Sequence, residues 1–210
     1  MCTGRVDLSF VIRAFQGRAD GVIVGGCWPG ECHYVTEGNY DALGNVYLCK
    51  RLLAHIGVKP ERLRIEWIAA SEGNRFAEIM NDFVRQVNAL GPLGRAEGVP
   101  DADLGLRLDA IQQLIPYLKL VERESFRVPT KSEEAYEAFY ESDETSRLFD
   151  SMVADKLAVS QILLCLKAGP LSTANIAARM GLSSSQVAKH MRDSSTRGLV
   201  RYDLGRYALC

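Results

Sequence analysis

Asp20-Gly-Val-Ile-Val-Gly-Gly-Cys-Trp-Pro-Gly-Glu-Cys-His-Tyr34 runs a short strand into a sulfur-bearing loop. Val22, Ile23 and Val24 form the β-branched run of a buried strand, and Gly25-Gly26 ends it. In Cys27-Trp28-Pro29-Gly30-Glu31-Cys32 the Pro-Gly pair suits the two central positions of a type II turn, because proline presets φ and glycine accepts the positive φ that follows. The turn folds two sulfurs toward one point. Open α/β sheets keep their ligands beyond the carboxyl ends of strands, so a sulfur pair just past this strand stands where such folds place a site.

Working outward, Leu8, Val11, Ile12 and Phe15 recur at helical spacing behind Asp7, which predicts a helix over about 7–17. Beyond the loop, Leu43, Val46, Leu53 and Ile56 predict a helix over 41–56, closed by Gly57. Leu63 to Ala69 alternates apolar and polar residues as a half-buried strand does. A helix carrying Phe76, Ile79, Phe83 and Val87 then runs to Gly91-Pro92. This alternation implies an α/β fold, a small parallel-sheet, flavodoxin-like domain over residues 1–90. Two strands make a poor sheet and a motif cysteine already stands at position 2, so the domain reads as shortened at its N-terminus.

Residues 91–149 read as linker and helical segment: a Gly- and Pro-containing linker to about 105, a helix over 106–121 kinked at Pro116, and a solvated acidic helix around 131–150. The last sixty residues follow another pattern. A helix over 150–167, a second over Leu171–Gly181, a third from Ser183 to Arg192, and two short strands about Asp203–Gly205 make a winged helix-turn-helix domain over 150–210. Eight basic side chains against three acidic ones give residues 151–210 a net charge of +5, which leaves −6 on the first 150. A basic module is attached to an acidic body.

No apolar run reaches the roughly 18 residues of a membrane span, and no signal-peptide pattern opens the chain, so a cytoplasmic protein is expected. Six cysteines, three crowded before residue 33 and three scattered at Cys49, Cys165 and Cys210, fit metal or redox use better than a secreted disulfide framework.

With Cys2-Thr-Gly-Arg5, Gly25-Gly-Cys-Trp-Pro-Gly-Glu-Cys-His-Tyr34, Glu66-Trp-Ile-Ala-Ala-Ser-Glu-Gly73 and Phe76 in order, the first 90 residues resemble the delta subunit of methyl-viologen-reducing hydrogenase. The resemblance implies a [2Fe–2S] cluster and a relay of electrons between a second redox enzyme and a flavin-containing heterodisulfide-reductase-like subunit in an anaerobic complex. It also implies Cys2, Cys27 and Cys32 as ligands to the cluster iron, the fourth position being unassigned, and an upstream segment with a first strand ahead of Met1. An all-cysteine [2Fe–2S] centre takes four thiolates. Cys49, among Leu48, Leu52 and Leu53, reads as a buried thiol rather than the fourth.

Other readings stay open at this point. Zinc is an alternative cofactor, held by Cys2, Cys27, Cys32 and His33, although adjacent side chains such as Cys32 and His33 tend to diverge. His33 also suits a hydrogen bond to a cluster sulfur or to a partner, and Trp28 at an exposed turn tip suits a docking anchor or a cap on the sheet. Lys189, His190 and Arg192 on the second helix of the C-terminal motif, with Arg201 and Arg206 on the wing, suit DNA, but beside a redox domain protein docking ranks first. The expected function is that of a non-catalytic electron-transfer subunit in a redox complex. The alternative is a redox- or metal-responsive winged-helix transcriptional regulator, and a thiol-dependent enzyme is weaker because no histidine is placed as a base.

Overall fold

A computed structural model describes residues 2–210. Helix α1 (Leu8–Gln16) starts at Asp7, whose carboxylate accepts the Ser9 N–H at 2.8 Å and so satisfies one of the donors a helix leaves open. It buries Leu8, Val11, Ile12 and Phe15, the apolar stripe seen in the sequence. Strand β1 (Val22–Gly26) pairs in parallel with β2 (Leu63–Trp67), from Val22 opposite Leu63 to Gly26 opposite Trp67. Between them α2 (Gly38–His55) makes the crossover and buries Leu43, Val46, Leu48, Leu52 and Leu53. Helix α3 (Gly73–Leu90) follows β2 and buries Ile79 and Phe83.

Among the described residues this parallel sheet has two strands. The α/β expectation therefore holds, while the wider sheet of a flavodoxin-like domain is not what these residues form.

Residues 91–100 are not a free linker. Arg62, fully buried at the end of the turn before β2, donates to Glu97 at 2.6 Å and to the carbonyl of Asp20 at 2.8 Å, and Leu93 and Val99 are buried beside it. Helix α4 (Asp101–Ser125) continues through Pro116 and packs along α1. The acidic stretch is two helices, α5 (Glu133–Glu141) and α6 (Asp143–Phe149), capped by the Ser132 and Ser142 hydroxyls. It is solvated on one face only: Tyr136, Tyr140 and Phe149 are buried, with Tyr136 stacked on Tyr40 and Tyr140 on Tyr47 of α2. One hydrophobic cluster thus runs from Leu8 to Leu157 and includes the helical segment.

A single π turn (Asp150–Ala154) leads into α7 (Asp155–Leu166). Helix α8 (Thr173–Met180) ends at Gly181, and α9 (Ser184–Thr196) begins with a capping box in which Ser183 Oγ accepts the Gln186 N–H at 3.2 Å while Gln186 Oε1 accepts the Ser183 N–H at 2.9 Å. Strands β3 (Val200–Asp203) and β4 (Arg206–Leu209) form an antiparallel hairpin tied to Leu171 through Tyr207. A second hydrophobic cluster of Ile162, Leu166, Ile176, Val187, Met191 and Val200 holds these elements together. Helix α7 enters both clusters, Leu157 in the first and Ile162 in the second. Among the described residues no helix is long and apolar enough to cross a membrane.

Candidate metal centre

Cys2 precedes a 3-10 turn, Thr3–Arg5, and Cys32 lies in the loop after β1, yet their sulfurs stand 3.5 Å apart. Two thiolates on one tetrahedral metal, each bonded at about 2.3 Å, would be about 3.7 Å apart, so the pair is at metal-sharing distance. The bend that returns the loop is the expected one. Glu31 N–H donates to the Trp28 carbonyl at 3.0 Å across Pro29-Gly30, and Gly30 has φ of +88°.

The first residue of α2 closes the floor of this pair. A Cβ on Gly38 would lie 2.5 Å from Cys32 Sγ and 2.7 Å from Cys2 Sγ, so glycine is present for close approach and not for a turn. The sulfurs accordingly pack against the first turn of an 18-residue helix, where the Gly38 N–H is taken up by the Tyr34 carbonyl at 2.9 Å. Asn39, 2% exposed, donates from Nδ2 to the Cys27 carbonyl at 2.5 Å, and Thr3 Oγ1 donates to the Gly25 carbonyl at 3.0 Å. The loop and the chain's opening residues are fixed to the same strand end.

Two clefts open on either side of Cys2. One, of about 440 Å³, is bounded by Arg5, Tyr34, Glu37, Gly38 and Asp41; the other, of about 540 Å³, has Cys27, Gly26, Ala69, Glu72 and Phe76 on its walls. Cys27 is half-buried and shares the second cleft with Cys2 without joining the close pair, so the bend forms as expected but Cys32 meets Cys2 and not Cys27. Among the described residues no three Cys, His, Asp or Glu side chains converge as a ready metal site, which holds for Cys2, Cys27 and Cys32 as much as for the zinc set that adds His33. His33 is exposed, its ring edge-on to Tyr34 at 5.1 Å. Trp28 is not an exposed tip: half-buried, it donates its indole N–H to Glu72 Oε2 at 2.8 Å and lies under the Arg75 guanidinium at 4.8 Å.

Cys49 is fully buried, and that burial pushes its thiol far above the ordinary range, so it stays a protonated core residue. Burial also raises Cys165, and Cys210 is exposed at the far end of the chain. Asp7 caps α1, as expected, and pairs with Lys119. Sequence reasoning missed Gly38, Asn39 and Glu72. The usable signal was a Gly-Asn pair opening a helix just after a cysteine loop, where neither residue is wanted for helix propensity.

A model of the delta subunit of methyl-viologen-reducing hydrogenase matches residues 1–91. The vhc iron-sulfur protein of the F420-non-reducing hydrogenase of Methanococcus voltae is 43% identical over 103 residues, covering 49% of this chain and 71% of that protein. The chain belongs to this delta-subunit family. The corresponding iron-sulfur protein of the F420-non-reducing hydrogenase of Archaeoglobus profundus is 52% identical over 91 residues, 43% of this chain and 66% of that protein. A component of the Ferredoxin/F(420)H(2)-dependent CoB-CoM heterodisulfide reductase of Methanosarcina acetivorans is 46% identical over 94 residues, 45% of this chain and 12% of that protein. The delta-subunit match therefore covers the part that holds Cys2, Cys27, Cys32 and Glu72, and the chain spans less than two thirds of both of these last relatives.

Proposed function

We propose that this chain is an electron-transfer subunit of a multi-component reductase complex and holds a [2Fe–2S] cluster through Cys2, Cys27 and Cys32. The observation that carries the reading is the Cys2–Cys32 pair, 3.5 Å apart over Gly38. A binuclear cluster takes its protein ligands two to an iron, so a close pair plus a separate third thiolate suits it better than the single tetrahedral ion of a zinc site. Cys2 and Cys32 would share one iron and Cys27 would serve the other.

When bound, the cluster supplies reversible one-electron transfer. The chain's own residues do the rest. The two cysteine segments orient the thiolates, Gly38 at the start of α2 leaves room for both, and Asn39 and Thr3 hold the backbone beside them. The clefts on both sides of Cys2 leave the centre open to a partner surface.

The partners we propose are a second redox enzyme and a flavin-containing heterodisulfide-reductase-like subunit. A stretch similar to residues 1–91 occurs inside a much longer heterodisulfide reductase component in Methanosarcina, and as a separate hydrogenase iron-sulfur protein elsewhere, which supports both. The helix, turn, helix and hairpin of residues 155–210 support a winged-helix module, which we assign to protein docking. His190, read as part of the basic face, is buried, Lys189 pairs with Asp155 at 3.3 Å, Ser183 and Gln186 cap α9, and the hairpin exposes Tyr202 and Leu204, so the surface is less a phosphate-binding one than the charge count alone implied.

Purification without oxygen, followed by iron and sulfide analysis and EPR of the reduced protein, tests the proposal. Two irons and two sulfides per chain with a reduced-state signal are expected. A colourless chain carrying stoichiometric zinc refutes it.

A further inference from the structure

The reading above leaves Trp28 without a role, although it sits next to Cys27. Its surroundings are specific. Glu72, the residue before α3, accepts two N–H groups on one carboxylate oxygen: the Trp28 indole at 2.8 Å and the Ala69 backbone at 2.7 Å. Arg75, one turn into α3, covers the face of the same indole at 4.8 Å and donates from Nε to the Trp67 carbonyl at 3.3 Å, which ties it to the end of β2. The indole is therefore gripped at its edge by an anion and on its face by a cation. Glu72 also borders the cleft shared by Cys2 and Cys27, and it lies outside both hydrophobic clusters.

We propose that Glu72 is a positioning residue for the metal-binding loop: by holding Trp28 it fixes where Cys27 stands relative to the Cys2–Cys32 pair. The inference rests on the proposal that these cysteines hold the cluster. A hydrogen bond to a carboxylate is about twice as strong as one between neutral groups, and its geometry is set by an indole that can donate in one direction only. The Pro-Gly bend gives the loop its return but no tie to the sheet. Asn39 grips the loop from α2 by the Cys27 carbonyl, and Glu72 grips it from α3 one residue further on. Cys27 is thus clamped from two helices, as a ligand without a close sulfur neighbour requires. The Ala69 N–H and then the Trp28 indole hold the Glu72 carboxyl below the usual carboxylate range, so the grip extends further toward acid pH than a free glutamate would allow.

The test compares Glu72→Ala with Glu72→Gln in the full chain, with Trp28→Phe to assign the Trp28 signal. In the wild type, the indole N–H of Trp28 should be protected from solvent exchange and a chelator should strip iron slowly. Glu72→Ala should speed both by about tenfold or more, the loss expected for one bond to a charged acceptor, while the melting temperature stays near that of the wild type. Glu72→Gln keeps an oxygen acceptor and should restore both rates to within a few-fold of wild type, with the cluster's midpoint potential raised because a negative charge has gone. Wild-type rates in Glu72→Ala, or equal losses in Glu72→Gln and Glu72→Ala, overturn the proposal. A wild-type chain without iron would refute the cluster while the indole exchange still decides whether Glu72 holds the loop.

Discussion

Replacing Gly38 by alanine is the sharpest single perturbation of the site. The added methyl carbon would lie 2.5 Å from Cys32 Sγ and 2.7 Å from Cys2 Sγ, roughly 1 Å inside ordinary contact with each. Overpacking of this kind costs about 1–3 kcal/mol, against a helix-propensity gain of at most about 1 kcal/mol for losing a glycine. Set against the full propensity gain, the fold loses up to about 2 kcal/mol. The site loses more, because the clash is relieved by swinging one or both sulfurs away from the other. We expect Gly38→Ala to melt within a few degrees of wild type and to lose most of its iron and visible absorption. Gly73→Ala is the matched control: it also opens a helix, and a methyl there meets nothing within 4 Å. Equal iron content in wild type, Gly38→Ala and Gly73→Ala would show that Cys2 and Cys32 do not act as a pair.

Cys27→Ser and Cys32→Ser should bleach the visible spectrum, whereas Cys165→Ser and Cys210→Ser should leave it unchanged; iron analysis of the four variants checks this. In native protein at pH 8, iodoacetamide should modify Cys210 and leave Cys49 untouched until the chain unfolds, because burial keeps the Cys49 thiol protonated. Arg62→Met should lower stability by about 3–5 kcal/mol in urea titration by leaving Glu97 buried without its partner. Burial alone would raise the Glu97 carboxyl, but the Arg62 bond and charge hold it below its ordinary 4.5, so its contribution is present above that pH and is lost as the solution is acidified through the lowered value.

Local patterns in the chain were readable where the cause is local. The β-branched run of β1, the stripe of α1 and the Pro-Gly bend each depend on neighbours within a few residues, and the observed elements follow them closely. Cys49 was readable as a core thiol from the leucines around it. What escaped depends on distant partners. Gly, Pro and charge made 91–105 resemble a linker, yet Arg62 reaches Glu97 across 35 residues and folds that segment down. Trp28 resembled an exposed anchor because Glu72 lies 44 residues away. The meeting of Cys2 and Cys32 followed from resemblance and not from spacing, since nothing in the intervening residues states that Gly38 clears room for both sulfurs.

Leu157 and Ile162 stand five residues apart on α7, about 7.5 Å along its axis, and belong to different hydrophobic clusters. A continuous rod joins the two, so the hairpin cannot swivel on a floppy tether. On the docking role proposed for the hairpin, a partner seated there carries the cysteine loop with it as one body.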